Sequence, residues 1–346
     1  MTKTIKTTNT LKGIAIFTVV INHYLNLNVR GDSTGFANAW IAIFFFLSGY
    51  GLYYSLTQHN FHNSFNEYIL FYYKRIVRIF PLLWLAWLIE LLIRKGNISF
   101  WIPTGIHASE HYWFIPAILQ CYLVAPVIYL AIKKRPIISI SILMILIVLI
   151  NYFLYFRYSI LLTKIANFIN ARWRWVYFLN ILVFAYGMLF AFFNKNITTK
   201  KGGFIHYCIF WILILLITIL MVFLKVYSHN KYIIEIAFQI APIVMILLLC
   251  VWALNFLIAN AIFEYLGRIS YSIYLFHMSY YLLISNIGSF TENSIKELIT
   301  TVAFFPIFIF ACEYFEKMGN YFNRKLRKLF TIKVDQQIAQ TDRQFR

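Results

Sequence analysis

Four groups of residues in an otherwise apolar chain have the types and spacing to do chemistry. Lys12 and His23 are eleven positions apart. At about 100° per residue this is some 20° past three full turns, so both side chains share one helix face, about 16 Å apart along the axis. An imidazole some ten residues into an apolar run is costly unless it is paired or meets water, and it suits acid–base chemistry. The same residues also fit a structural reading, with His23 hydrogen-bonded to another helix and Lys12 an ordinary anchor.

Arg75 and Arg78, in "FYYKRIVRIFPLLWL" (71–85), are spaced i,i+3 on one face. Pro81 follows them and fits either a first helical turn or a kink. A guanidinium pair at a membrane edge can hold phosphate bidentately, or simply anchor the helix. Glu110, His111 and Trp113 form a third group, where an acid, an imidazole and an indole could grip a sugar. Interfacial Trp and Tyr are common in any membrane protein, so this group alone is also compatible with a plain boundary. The fourth group is "YLGRISYSIYLFHM" (265–278), where His277 lies about 12 Å beyond Ile269 by helical rise, a depth like that of His23. Ser270 and Ser272 add polarity there, which interhelical packing could use equally well.

The elements that must position these residues are membrane helices. Of 346 residues, 61% are hydrophobic and 12% charged, about half the charged share of soluble domains. The apolar residues come in runs near the roughly 20 needed to cross a bilayer as helix. Ten spans are expected, at about 11–29, 36–56, 77–94, 111–132, 137–156, 174–193, 204–226, 233–258, 269–289 and 295–315. The first run is expected to stay as a helix rather than be cleaved at Ala37-Asn38-Ala39, because the polar "NLNVRGDSTG" separates it from that site. Ten spans put both termini on one side. The termini and the loops of that side hold 21 of the 31 Lys and Arg, the opposite loops 10, so the positive-inside rule makes both termini cytoplasmic.

The fold expected is therefore an all-α integral membrane protein, with a transmembrane domain over 1–316 and a basic cytoplasmic tail over 317–346. Such a tail suits the inner membrane surface. The net charge of +19 follows from topology, and no nucleic-acid partner is expected. The four cysteines, at 121, 208, 250 and 312, lie in apolar runs without paired spacing, so neither a disulfide framework nor a metal site is expected. No internal repeat is visible, which weighs against the paired halves of many transporters.

Five motifs, in order, carry a resemblance. They are "KGIAIFTVVINH" (12–23), "FFFLSGY" (44–50), "RIVRIFP" (75–81), "HYWF" (111–114) with Tyr122 and Pro126 downstream, and "GRISYSIYLFH" (267–277). Together they resemble the acyltransferase-3 family of bacterial membrane O-acyltransferases over essentially the whole chain. Lys12 stands where that family usually has Arg, keeping the charge but losing the planar fork.

The resemblance implies transfer of an acyl group, most often acetyl, from a cytoplasmic coenzyme A thioester to a hydroxyl of an extracytoplasmic glycan. On this reading the protein is a multi-pass enzyme of the bacterial cytoplasmic membrane, with acyl-CoA as donor substrate and no permanently bound cofactor. Arg75, Arg78 and Lys12 would hold the coenzyme A phosphates, and Glu110, His111 and Trp113 the acceptor. His23 would be the general base, with an acyl-histidine as a variant. His277, Ser48 or Tyr271 would orient it or stabilise the oxyanion. O-succinyl transfer is an alternative within the family. A glycan transporter or flippase, or a structural subunit of an export complex, are alternatives outside it.

Overall fold

The computed structural model describes residues 2–28, 34–58, 61, 64–105, 110–157, 174–197, 260–288 and 295–344. Every regular element among the described residues is helical. We label the helices α1 (Thr2–Asn28), α2 (Thr34–Gln58), α3 (Phe65–Ile93), α4 (Phe114–Lys134), α5 (Pro136–Arg157), α6 (Arg174–Ile197), α7 (Ala261–Arg268), α8 (Ser270–Gly288) and α9 (Ile295–Gln344). Two 3₁₀ turns, Ile102–Thr104 and Glu110–Trp113, lie between α3 and α4. The expected spans 204–226 and 233–258 lie outside the described residues.

Four helical stretches among the described residues are long and apolar enough to cross a membrane: Trp40–Gln58, Phe65–Ile93, His111–Lys134 and Ile295–Leu329. α9 exposes Ile299, Val302, Ile307 and Phe310 while burying Phe308 and Cys312. An apolar exterior over an apolar interior is what a helix in lipid requires.

Three expectations change. Helix α3 begins about a dozen residues before the expected start at 77. Ser64 caps it, accepting from the Glu67 backbone amide while the Glu67 carboxylate accepts from the Ser64 amide. This capping box starts the helix in a polar segment that hydropathy does not register. Pro81 therefore lies deep inside α3, not in a first turn. The last helix also outruns the expected span end at 315, because α9 runs unbroken into the basic tail.

The chain divides into two compact units. The first comprises Met1–Phe61 and Trp113–Ser270. Its helices meet through reciprocal glycines. A Cβ on Gly49 would stand 1.9 Å from the Phe184 carbonyl oxygen, and one on Gly187 would stand 2.0 Å from that of Phe46. Gly13 and Gly267 make the same exchange with Phe263 and Asn9, at 1.9 and 1.8 Å. Small residues that let helix backbones touch are a principal means of packing in lipid, where apolar burial gives little drive. α7 is further tied to α1 through the Asn260 amide, which donates to Thr10 Oγ1 at 3.3 Å. The Asn260 side chain caps α7 by accepting from the Ile262 and Phe263 amides.

The second unit comprises His62–Tyr112 and Tyr271–Arg346. α3 and α9 pack so closely that a methyl group placed on Gly319 would stand 2.7 Å from Leu82 Cγ. Ser272 of α8 donates to the Glu316 carboxylate of α9 at 2.6 Å. Tyr271 donates to the Ile79 carbonyl at 2.8 Å, pinning the start of α8 to α3. After α3 ends, the chain is held back against it by Trp87 and Trp84, whose indoles donate to Ser99 and Pro103 carbonyls at 3.1 and 2.9 Å.

Candidate functional site

The second unit holds a buried polar cluster at the C-terminal end of α3. Glu90 exposes no surface. Arg94, one turn on, places Nε 2.8 Å from Glu90 Oε1, and the Tyr112 hydroxyl donates to Oε2 at 2.8 Å. His111 Nε2 lies 3.6 Å from the same Oε2, beyond hydrogen-bond length but within range of the charge. A buried carboxylate is tolerable only when charge and hydrogen bonds offset its desolvation, and Arg94 and Tyr112 supply both.

His277 completes the cluster from α8. Its ring centre is 5.4 Å from that of His111, edge to face, and it is fully buried. The Tyr274 hydroxyl donates to the His111 carbonyl, joining α8 to the 3₁₀ turn. His277 Nδ1 lies 2.7 Å from the Tyr274 carbonyl. A carbonyl can only accept, so Nδ1 carries the proton and, in the neutral ring, Nε2 carries the lone pair. This tautomer can take a proton at Nε2.

Toward its other end α3 is cationic. Arg75 is half-buried, with its guanidinium 5.3 Å from the centre of the Phe71 ring, and Arg78 is exposed. α9 adds to this end. Arg327 donates through Nη2 to the Lys74 carbonyl at 3.2 Å, and the Tyr73 hydroxyl donates to the Leu326 carbonyl at 2.9 Å. Arg327 feels the charge of Arg78, and Lys74 those of Arg327 and Arg75.

Of the sequence-predicted residues, Arg75, Arg78, His111, Tyr271 and His277 belong to this second unit. Glu110 opens the 3₁₀ turn that carries His111, and its side chain lies outside the described residues. Lys12, His23, Ser48 and Trp113 belong to the first unit. Lys12 and His23 are both half-buried on the unbroken helix α1, consistent with one shared face. Ser48 is half-buried on α2, and Trp113 is buried where the turn enters α4.

Glu90, Arg94, Tyr112 and Tyr274 escaped the sequence reading. Glu90 stands within an expected membrane span, so the rule that singled out His23 applies to it equally.

No curated protein and no solved structure matches this chain. A family model described as an acyltransferase domain matches residues 6–314. That stretch takes in all five motifs, with His23, His111 and His277, and the chain therefore belongs to the acyltransferase-3 family of membrane acyltransferases.

Proposed function

We propose that this membrane acyltransferase moves a short acyl group, acetyl first among them, from coenzyme A to a hydroxyl of an extracytoplasmic glycan. The observation that carries the reading is the make-up of α3 and its partners. One end groups Arg75 and Arg78 with Arg327, and the other carries Glu90, His111 and His277. From Arg78 to Glu90 is twelve residues, about 18 Å of helical rise, a span that an extended pantetheine arm covers. Cations that suit phosphates thus share α3 with a carboxylate, Glu90, beside which the neighbouring 3₁₀ turn and α8 bring imidazoles that suit proton transfer.

In this reading the positive-inside bias puts the cationic end at the cytoplasm, where coenzyme A thioesters are available. His23 takes the proton of the acceptor hydroxyl as that oxygen attacks the thioester carbonyl. The carbon–sulfur bond then breaks, and the imidazolium returns its proton to the departing thiolate. Neutral imidazole suits the task because its ordinary pKa lies near working pH. His277, with its tautomer set by the Tyr274 carbonyl, and Ser48 and Tyr271 support the base or the oxyanion. Glu110, His111 and Trp113 serve the acceptor, and Lys12 adds its charge to the donor side.

Membranes incubated with acetyl-labelled coenzyme A test this. Label should appear in envelope glycan with the wild-type protein and not with His23→Ala at equal protein level. Label that stays in coenzyme A while glycan crosses the membrane would point to a carrier instead. Competition with succinyl-coenzyme A separates the two donors.

A further inference from the structure

We propose that the face of α9 bearing Lys317, Arg324 and Arg327 binds phosphoryl groups, forming with Arg75 and Arg78 the wall that holds the phosphates of the donor. The proposal rests on the coenzyme A reading above and gives the basic tail a part in it. A cavity of about 520 Å³ is lined by Lys317, Asn320, Asn323, Arg324 and Arg327, a size within the roughly 300–1,000 Å³ of small-molecule sites. Three of the five lining residues are cations, two are amides, and none is acidic. Positions 317, 320, 324 and 327 recur every three or four residues, so they form one stripe of the helix.

The site is built rather than a loose spray of charge. Lys317 is paired with Glu313 at 2.7 Å, so Arg324 and Arg327 are its principal cations. Arg327 is half-buried, and its bond to the Lys74 carbonyl holds it between the cavity and α3. It lies within electrostatic reach of Arg78, as Lys74 does of Arg75. Gathering these like charges costs energy that an anion in the cavity recovers. The buried side-chain oxygen of Asn323 meets no hydrogen-bond partner among the described residues. The family match ends at residue 314, so this stripe lies beyond the part of the chain that the family model describes.

A lipid phosphate offers the same chemistry as a coenzyme A phosphate. Full-length protein in nanodiscs of phosphatidylcholine alone, titrated calorimetrically with coenzyme A and with its 3′-dephospho form, separates the sources. Arg324→Gln/Arg327→Gln should raise the Kd for coenzyme A at least tenfold, and by less for the dephospho form. Arg324→Gln alone leaves the Arg327 contact with α3 in place. It should give a several-fold loss that Arg324→Lys partly restores, which keeps the test valid if the double variant misfolds. Wild-type affinity in these variants, alongside weakened binding in Arg75→Gln, would overturn the proposal and leave the donor reading standing. No binding of coenzyme A by the wild type would remove both. Unchanged coenzyme A affinity with loss of co-purifying phosphatidylglycerol would assign the stripe to lipid and overturn its role in the donor site.

Discussion

The Tyr112 hydroxyl donates to Glu90 Oε2 across 2.8 Å, at a carboxylate wholly shut off from solvent. This bond joins α3 to the 3₁₀ turn and thereby sets the backbone of His111. The Tyr274 hydroxyl then ties that same backbone to α8, one turn from His277. His111 and His277 are thus tied into one frame that hangs on a buried carboxylate.

Removing that carboxylate should be felt in both stability and activity. Glu90→Ala leaves the Tyr112 hydroxyl and the Arg94 guanidinium without their buried acceptor, a loss of roughly 1–3 kcal/mol. The figure stays below that of a fully buried pair because Arg94 is 22% exposed and can turn to water. Glu90→Gln keeps an acceptor for Tyr112 and should unfold nearer the wild-type temperature, yet transfer acyl groups at least tenfold more slowly. Thermal unfolding in detergent, read beside labelled-acyl transfer, checks both; a Glu90→Ala protein as stable and active as wild type contradicts this account.

His23→Ala should lower transfer by about 10²–10⁴, the usual worth of a positioned general base, with normal protein levels in the membrane. His277→Ala and His111→Ala serve as comparisons. If His23→Ala keeps most of its rate while His277→Ala loses it, the proton is taken by the ring whose Nε2 the Tyr274 carbonyl leaves basic.

Arg78→Gln should raise KM for the acyl donor about tenfold while kcat changes little, because a phosphate contact remote from the reacting carbonyl acts on both ground and transition states. Arg78→Lys should lie between, keeping charge without the fork. Initial rates over a range of donor concentrations separate the two parameters, and a fall in kcat alone would count against a phosphate role.

The reciprocal glycines give a test that involves no chemistry. Gly187→Ala places a methyl 2.0 Å from the Phe46 carbonyl oxygen, so α2 and α6 must part. Overpacking of this kind costs roughly 1–3 kcal/mol and should lower folded yield in size-exclusion chromatography. Gly51→Ala meets nothing within 4 Å and should behave as wild type.

The helical, membrane-bound character of the chain was legible residue by residue, since long apolar runs in lipid leave the backbone little choice but helix. His23 and His277 stand out as candidates because an imidazole in an apolar run is costly, and the Arg75–Arg78 pair because its i,i+3 spacing puts both on one face. Helix ends were not. α3 starts early through a capping box, and α9 continues through a charged segment, neither of which apolar periodicity registers. Gly49 was legible as a motif position but not as a contact; only packing shows it, with Gly187 outside any motif, holding α2 against α6.

Composition and spacing by themselves thus determined the solvent this protein lives in and which polar side chains are costly enough there to stand as candidates. Tertiary structure alone decided their partners: that Glu90 supports His111 rather than merely pairing with Arg94, and that Arg327, some 250 residues from Lys74, stands beside the arginine pair. Hydropathy is a property of single residues, additive along the chain. A hydrogen bond or a like-charge cluster between distant segments depends on where folding brings them, and no local pattern encodes that.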